Sequence, residues 1–238
     1  MGPSYVDFLR ERRLELEARV ADACARAGRD ASEVEVVAVS KTVEPEGLLA
    51  AIEAGYGRFG ENRPQELVHK TAALEQAGLA ESVRMDMIGN LQRNKINQVL
   101  GRAQLIHSIS SAHLAEGVSS RAEARGLRQQ VLLEVNVSGE ASKSGFSPAD
   151  ATRAFEGLLA LGGIEVVGLM TMAPAHDPDA ARRTFCGLRE LRDGLERRGG
   201  CLPVLSCGMS DDFELAVEEG STLVRLGRVV FDQGYTLD

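Results

Sequence analysis

Val34-Glu35-Val36-Val37-Ala38-Val39-Ser40-Lys41 is β-branched and almost continuously apolar. A strand covered on both faces has this character, and strands of that kind belong to parallel sheets flanked by helices. The stretch ends on Lys41, one of four lysines (Lys41, Lys70, Lys95, Lys143) among 27 basic residues. A guanidinium stays protonated and cannot condense with an aldehyde, whereas a lysine amine can form a Schiff base. A strand-end lysine is placed for that chemistry. It is equally the position of a lysine that runs its stem along the strand end and leaves its ammonium in water.

Outward from this strand the same alternation repeats. A helix precedes it, with Ser4 as its N-cap, Phe8, Leu9, Leu14, Leu16, Val20 and Cys24 at helical spacing, and Gly28 as its terminator. Further strands are expected at 58–61, 83–88, 105–109, 130–137, 164–172, 203–206 and 222–230. The helices between them are expected at 45–54, 64–77, 91–100, 112–124, 148–161, 178–198 and 211–219. Eight strands alternating with helices, with no linker, predict one domain over 1–238. Its fold class is α/β, a (β/α)8 TIM-type barrel with an extra N-terminal helix. An open doubly wound sheet is the alternative.

The formal net charge of −8 argues against a nucleic-acid or anionic membrane surface. No run of 18 apolar residues spans a bilayer, and the N-terminus lacks an apolar signal region. Cys24, Cys186, Cys201 and Cys207 form no C-x-x-C pair and no metal-ligand spacing with the four histidines, so no metal is expected. A monomeric cytoplasmic protein is the expectation.

In a barrel the ligand lies at the C-terminal ends of the strands. Lys41, Glu61-Asn62, Gly89-Asn90, Ser108, Asn136, Thr171-Met172, Ser206–Ser210 and Gly227-Arg228 collect there. Loops after the last two strands often cradle phosphate. Cys207-Gly208-Met209-Ser210-Asp211-Asp212 suits the first loop: Gly208 permits close approach and Ser210 offers a hydroxyl at a helix start. Arg225-Leu226-Gly227-Arg228 suits the second, since Gly227 lets amides face an oxyanion. Ser210 also reads as an ordinary N-cap, and the carboxylates of Asp211 and Asp212 must point away from any phosphate. Closure of the eighth strand against the first brings amine and cradle together. That geometry suits a phosphorylated aldehyde, with pyridoxal 5′-phosphate the obvious candidate.

Ala38-Val39-Ser40-Lys41-Thr42, Phe59-Gly60-Glu61-Asn62, Ile88–Lys95, Glu134–Val137 with Lys143–Phe146, Gly168–Met172, Leu205–Asp212 and Val224–Gly227 together resemble the pyridoxal phosphate homeostasis protein family. That family is similar to the N-terminal barrel of bacterial alanine racemases. The resemblance implies a fold-type-III barrel with the cofactor on Lys41 and Asn62 nearby. It places Ser210, Gly227 and Arg228 at the phosphate, beside Gly208 and Met209, and Arg225 near the pyridine nitrogen. An arginine there disfavours a protonated ring nitrogen and weakens the electron sink.

The implied function is that of a carrier or regulator of intracellular vitamin B6, without robust catalysis, with PLP-dependent apoenzymes as partners. An amino-acid racemase-like enzyme is the alternative. Racemases of this type draw a tyrosine base from a second domain, whereas this chain reaches Asp238 soon after the eighth strand and holds only Tyr5, Tyr56 and Tyr235. A Schiff-base aldolase usually carries its lysine on a later strand. Asp86 stands where the family often has His, which removes an imidazole from that position. Lys95 reads as solvated charge or as a secondary anion contact.

Overall fold

The structure, a computed structural model, describes residues 4–237. Residues 1–3, read above for a targeting signal, and Asp238 lie outside the described residues. The first helix, α1 (Tyr5–Arg26), starts where expected. Ser4 Oγ accepts the Asp7 N–H at 3.2 Å while the Asp7 carboxylate accepts from Ser4, which satisfies donors at the helix start. Gly28, at φ 67°, ends the turn.

Eight parallel strands then close into a barrel in sequence order. They are β1 (Glu35–Val39), β2 (Arg58–Glu61), β3 (Arg84–Met87), β4 (Leu105–Ile109), β5 (Gln129–Glu134), β6 (Ile164–Met170), β7 (Val204–Ser206) and β8 (Leu223–Leu226). The outer helices are α2 (Pro45–Glu53), α3 (Pro64–Gln76), α4 (Ile96–Val99), α5 (Ala112–Glu123), α6 (Pro148–Leu159), α7 (Pro178–Glu196) and α8 (Phe213–Glu218). A final turn, α9 (Arg228–Phe231), follows β8. The closing seam pairs Val37 with Arg225 and Ala38 with Leu226, which rules out the open sheet.

Two layers of apolar packing hold the barrel. Val37, Leu105, Leu132, Met170 and Leu223 meet inside it, the side-chain filling that makes a small barrel a core rather than a pore. The larger cluster lies between the strands and the helices and includes Leu9, Leu16 and Val20 of α1. Leu14, expected on the buried stripe, is exposed.

Several expected elements change, among them the fifth and sixth strands, which end at Glu134 and Met170 rather than 137 and 172. The eighth strand stops at Leu226, because Gly227 (φ −111°, ψ −78°) leaves extended geometry and starts α9. The helix expected over 91–100 shrinks to a 3₁₀ turn, Arg93–Lys95, running into the single turn α4. The eighth helix begins at Phe213 rather than 211, with Asp212 as its uncapped N-cap. No helix among the described residues is long and apolar enough to cross a membrane.

Candidate functional site

Lys41 lies just past the end of β1, exposed, in the turn closed by a hydrogen bond from the Val43 N–H to the Ser40 carbonyl at 3.1 Å. Its amine makes no hydrogen bond or ion pair among the described residues. The residue before it is pinned from below. Lys70, on α3 and 1% exposed, donates from Nζ to the Ser40 carbonyl and to Glu61 Oε1, both at 2.6 Å. Ser40 Oγ donates to the same Glu61 oxygen at 2.5 Å. One scarce lysine therefore anchors the strand end from which another projects. From the sequence Lys70 carried no assigned role, although its place three residues after Leu67 and four before Leu74 puts it on the buried face of α3.

Asn62 follows β2 and is exposed. Gly89 lets the next loop pass against it: a Cβ on Gly89 would lie 2.1 Å from the Asn62 carbonyl oxygen. The two loops thus fix each other through backbone contact.

The loops after β7 and β8 meet as expected, but by different means. Ser210 is not the cap of α8. Its Oγ accepts the Val229 N–H at 3.3 Å, which fastens one loop to the first turn of α9. A hydroxyl used as an acceptor keeps its hydrogen to donate. Gly208 has φ 95°, and a Cβ there would meet the Ala216 Cβ at 2.7 Å, so α8 packing itself requires glycine. Gly227 differs. Its φ is negative and a Cβ would meet nothing closer than Val39, at 3.4 Å, so neither backbone nor packing demands glycine there.

The two aspartates of the loop are both engaged within the protein, Asp212 buried and Asp211 exposed. Asp212 accepts the Met209 N–H at 2.6 Å, and burial pushes its carboxyl above the usual range. Asp211 accepts from Arg228 at 2.6 Å and from the Tyr235 hydroxyl at 2.8 Å. The Arg228 guanidinium also lies over the Tyr235 ring, 5.6 Å from its centre. The Arg228–Asp211 contact is an exposed surface pair, of the kind that contributes little. Met209 remains exposed.

Arg225 points into the barrel, 6% exposed. It donates to Ser206 Oγ at 2.6 Å and to the Thr171 carbonyl at 3.1 Å. Burial lowers its basicity, with Cys207, Asp212 and Glu134 opposing that shift. Glu134, at the end of β5, is buried with Oε2 unpartnered. Desolvation raises its pKa while Arg225 pulls it down. Asn136, a strand-end candidate, instead braces the following loop by donating to the Glu140 and Lys143 carbonyls at 2.8 and 3.2 Å. Lys143 donates to the Met172 carbonyl at 3.2 Å and pairs with Glu140. Lys95 sits half-buried on the 3₁₀ turn after β3.

Beneath Arg225 lies an imidazole that the departure at Asp86 had seemed to remove. His107 of β4 is fully buried between Asp86 Oδ2 at 3.1 Å and Ser206 Oγ at 3.0 Å. Burial holds its pKa below the ordinary histidine range against the pull of Asp86. The unfolded chain takes up this proton below about pH 6.5, while the folded chain resists it. Below that pH the unfolded state binds more protons, so His107 costs stability as pH falls. Melting temperatures at about pH 7.5 and about pH 5.5 should show a larger acid loss for wild type than for His107→Asn. Equal losses would mean that His107 does not carry the effect.

Residues 15–233 match the family model described as "Alanine racemase, N-terminal domain". The chain belongs to that family. Within it, the chain is 42% identical to the pyridoxal phosphate homeostasis protein of Aquifex aeolicus, covering 90% of this chain and 93% of that one. It is 33% identical to the protein of that name from Escherichia coli K12, over 90% and 91% of the two chains. Among solved structures of the family, PipY of Synechococcus elongatus with PLP bound superposes with a TM-score of 0.79 at 31% identity, over 89% of this chain and 99% of that one. A protein from Bifidobacterium adolescentis superposes with a TM-score of 0.91 at 39% identity, over 97% of each chain. The alanine racemase of Clostridium difficile, at 14% identity and a TM-score of 0.72, shares the fold alone; 95% of this chain covers 57% of it.

Proposed function

We propose that this protein binds pyridoxal 5′-phosphate as a Schiff base on Lys41 and serves intracellular PLP homeostasis as a carrier or regulator without efficient turnover. The observation that carries the reading is the closing seam of the barrel. The β1–β8 pairing of Val37 with Arg225 brings the strand end that carries the uncommitted Lys41 amine beside the loop of Gly227 and Arg228. The relatives' names and the PLP in PipY support it.

When bound, the cofactor supplies an aldehyde for an amine to capture and a ring that can draw electrons. The protein's groups fit such a ligand. Lys41 offers the amine, Ser210 and the amides of Gly227 and Arg228 offer donors for a phosphate, and Arg225 offers a cation in the barrel interior. A fixed guanidinium facing the ring nitrogen disfavours a second positive charge there, so the ring stays a weak electron sink. Asn62 approaches the same mouth from β2.

The tyrosines support the reading that turnover is inefficient. Tyr5 donates to the Phe231 carbonyl at 3.2 Å, and Tyr235 donates to Asp211 at 2.8 Å, with the Ser210 carbonyl 3.2 Å from the same hydroxyl. Tyr56 is buried in the outer layer beside α1, where desolvation raises its pKa. A second base opposite Lys41, needed for two-base proton transfer, is not provided by any of these three. We further propose a monomeric, cytoplasmic protein whose partners are PLP-dependent apoenzymes.

The test is Cα-deuterium exchange, followed by NMR, for a panel of L-amino acids in deuterated water with the PLP-loaded protein. Exchange far slower than about 1 s⁻¹ is expected for every amino acid. Exchange at or above that rate would make this a true racemase-like enzyme.

A further inference from the structure

Five side chains form one hydrogen-bonded line through the barrel interior, from the N-terminal end of β2 to Arg225. Arg58 donates from Nε to Asp86 Oδ2 at 2.7 Å and from a terminal nitrogen to Glu35 Oε2 at 2.5 Å. Asp86 meets His107 Nε2, His107 Nδ1 meets Ser206 Oγ, and Ser206 Oγ accepts from Arg225. Asp86, His107 and Ser206 are all fully buried. The His107–Ser206 contact joins β4 to β7, which are not neighbours in the sheet, so it crosses the lumen.

The donors leave a single consistent polarity. Arginine can only donate. Ser206 Oγ therefore accepts from Arg225, and its one hydrogen goes to His107 Nδ1. That assignment places the imidazole hydrogen on Nε2, where it goes to Asp86, an acceptor it shares with Arg58. Protonating His107 at Nδ1 would strand the Ser206 hydroxyl hydrogen, whose other contact, Arg225, can only donate. Each link thus depends on the next, and the line ends on the guanidinium at the barrel mouth.

We propose that His107, Asp86 and Arg58 are positioning residues that act through Ser206 to clamp the Arg225 guanidinium, and thereby set the charge met by the ring nitrogen of a bound cofactor. The inference rests on the reading above that Arg225 faces that nitrogen. The clamp accounts for five polar side chains inside the barrel, where each buried polar group is costly unless bonded; of their atoms Asp86 Oδ1 is left buried without a partner. Other charged or titratable groups that act on Arg225 are Glu134 of β5, Asp212 before α8 and the buried thiol of Cys207. The charged groups that act on His107 are Asp86, Arg225 and Arg58.

The test uses NMR on the full chain. In unloaded protein, long-range nitrogen–proton spectra should show His107 neutral with its hydrogen on Nε2. The Arg225 side-chain N–H signals should be resolved and slow to exchange. His107→Phe should lose those Arg225 signals while keeping a cooperative melt, and His107→Asn, which restores an acceptor for Ser206, should recover them. Asp86→Asn gives a second route if the Phe variant does not fold, and it too should weaken the Arg225 signals.

With ring-¹⁵N pyridoxal 5′-phosphate bound, loosening the clamp should let the ring nitrogen protonate more readily. Its titration midpoint should rise by at least about 0.5 unit in His107→Phe or Asp86→Asn. A His107 hydrogen on Nδ1, or Arg225 signals and a ring-nitrogen titration unchanged in both variants, would overturn the clamp. Arg225→Leu separates the two readings. If it leaves the ring nitrogen unchanged, Arg225 does not face it, and both readings fall. If it shifts the nitrogen while the His107 and Asp86 variants do not, only the clamp is lost.

Discussion

Lys41→Ala should give a colourless protein that borohydride no longer labels with pyridoxal 5′-phosphate, a complete loss rather than a graded one. The other lysines are poorly placed to replace it. Lys70 is buried and donates to two oxygens. Lys143 is paired with Glu140 and donates to the Met172 carbonyl. Lys95 lies on the 3₁₀ turn after β3, away from the β1–β8 seam. Lys41→Arg should fail equally, because a guanidinium keeps its charge but cannot condense. Thermal stability should change little in either variant, since Lys41 is exposed and unpaired. Stoichiometric labelling at a single site in Lys41→Ala would show that another amine captures the aldehyde.

Lys70→Met should be the most destabilising single change among the lysines, although it touches no ligand. It leaves the Glu61 carboxylate fully buried without its counter-ion and the Ser40 carbonyl without its donor. Breaking a buried ion pair from one side typically costs about 3–5 kcal/mol. For a chain of this size that corresponds to a melting temperature roughly 6–20 °C lower. The double variant Lys70→Met, Glu61→Gln removes the stranded charge and should recover a large part of the loss. A fall under about 1 kcal/mol in the single variant would place this pair with ordinary surface ion pairs and contradict its burial. The same variant should slow Schiff-base formation at Lys41, whose preceding residue loses its anchor.

The contrast between these two lysines marks what could be read from the chain. The compositional scarcity of lysine singled out both, and Lys41 carried a further local signal, the apolar run that ends on it. Lys70 lies on the Leu67–Leu74 stripe of α3, where nothing local says what its ammonium would meet. Its partners are a carbonyl and a carboxylate supplied by two other elements. The same holds for Asp86 and His107. Each reads as an isolated polar residue in a strand, and their mutual contact depends on how far β3 and β4 are staggered. Gly208 and Gly227 looked alike in sequence, yet one is held by α8 packing and a positive φ while the other is not.

The sequence by itself determined the order and kind of the elements, the eightfold alternation that implies a barrel, the strand-end lysine and the family resemblance. These follow from periodicity, turn residues and short motifs, whose physics acts over a few residues. Only the tertiary structure decided that the eighth strand gives way to α9, that Arg228 turns onto Asp211, and that Ser210 fastens two loops instead of capping a helix. It alone placed Lys70 under Lys41 and aligned Arg58, Asp86, His107, Ser206 and Arg225 through the lumen. Those arrangements depend on barrel closure and strand stagger, which bring together residues of separate elements, up to 99 positions apart for His107 and Ser206, in ways that no local pattern records.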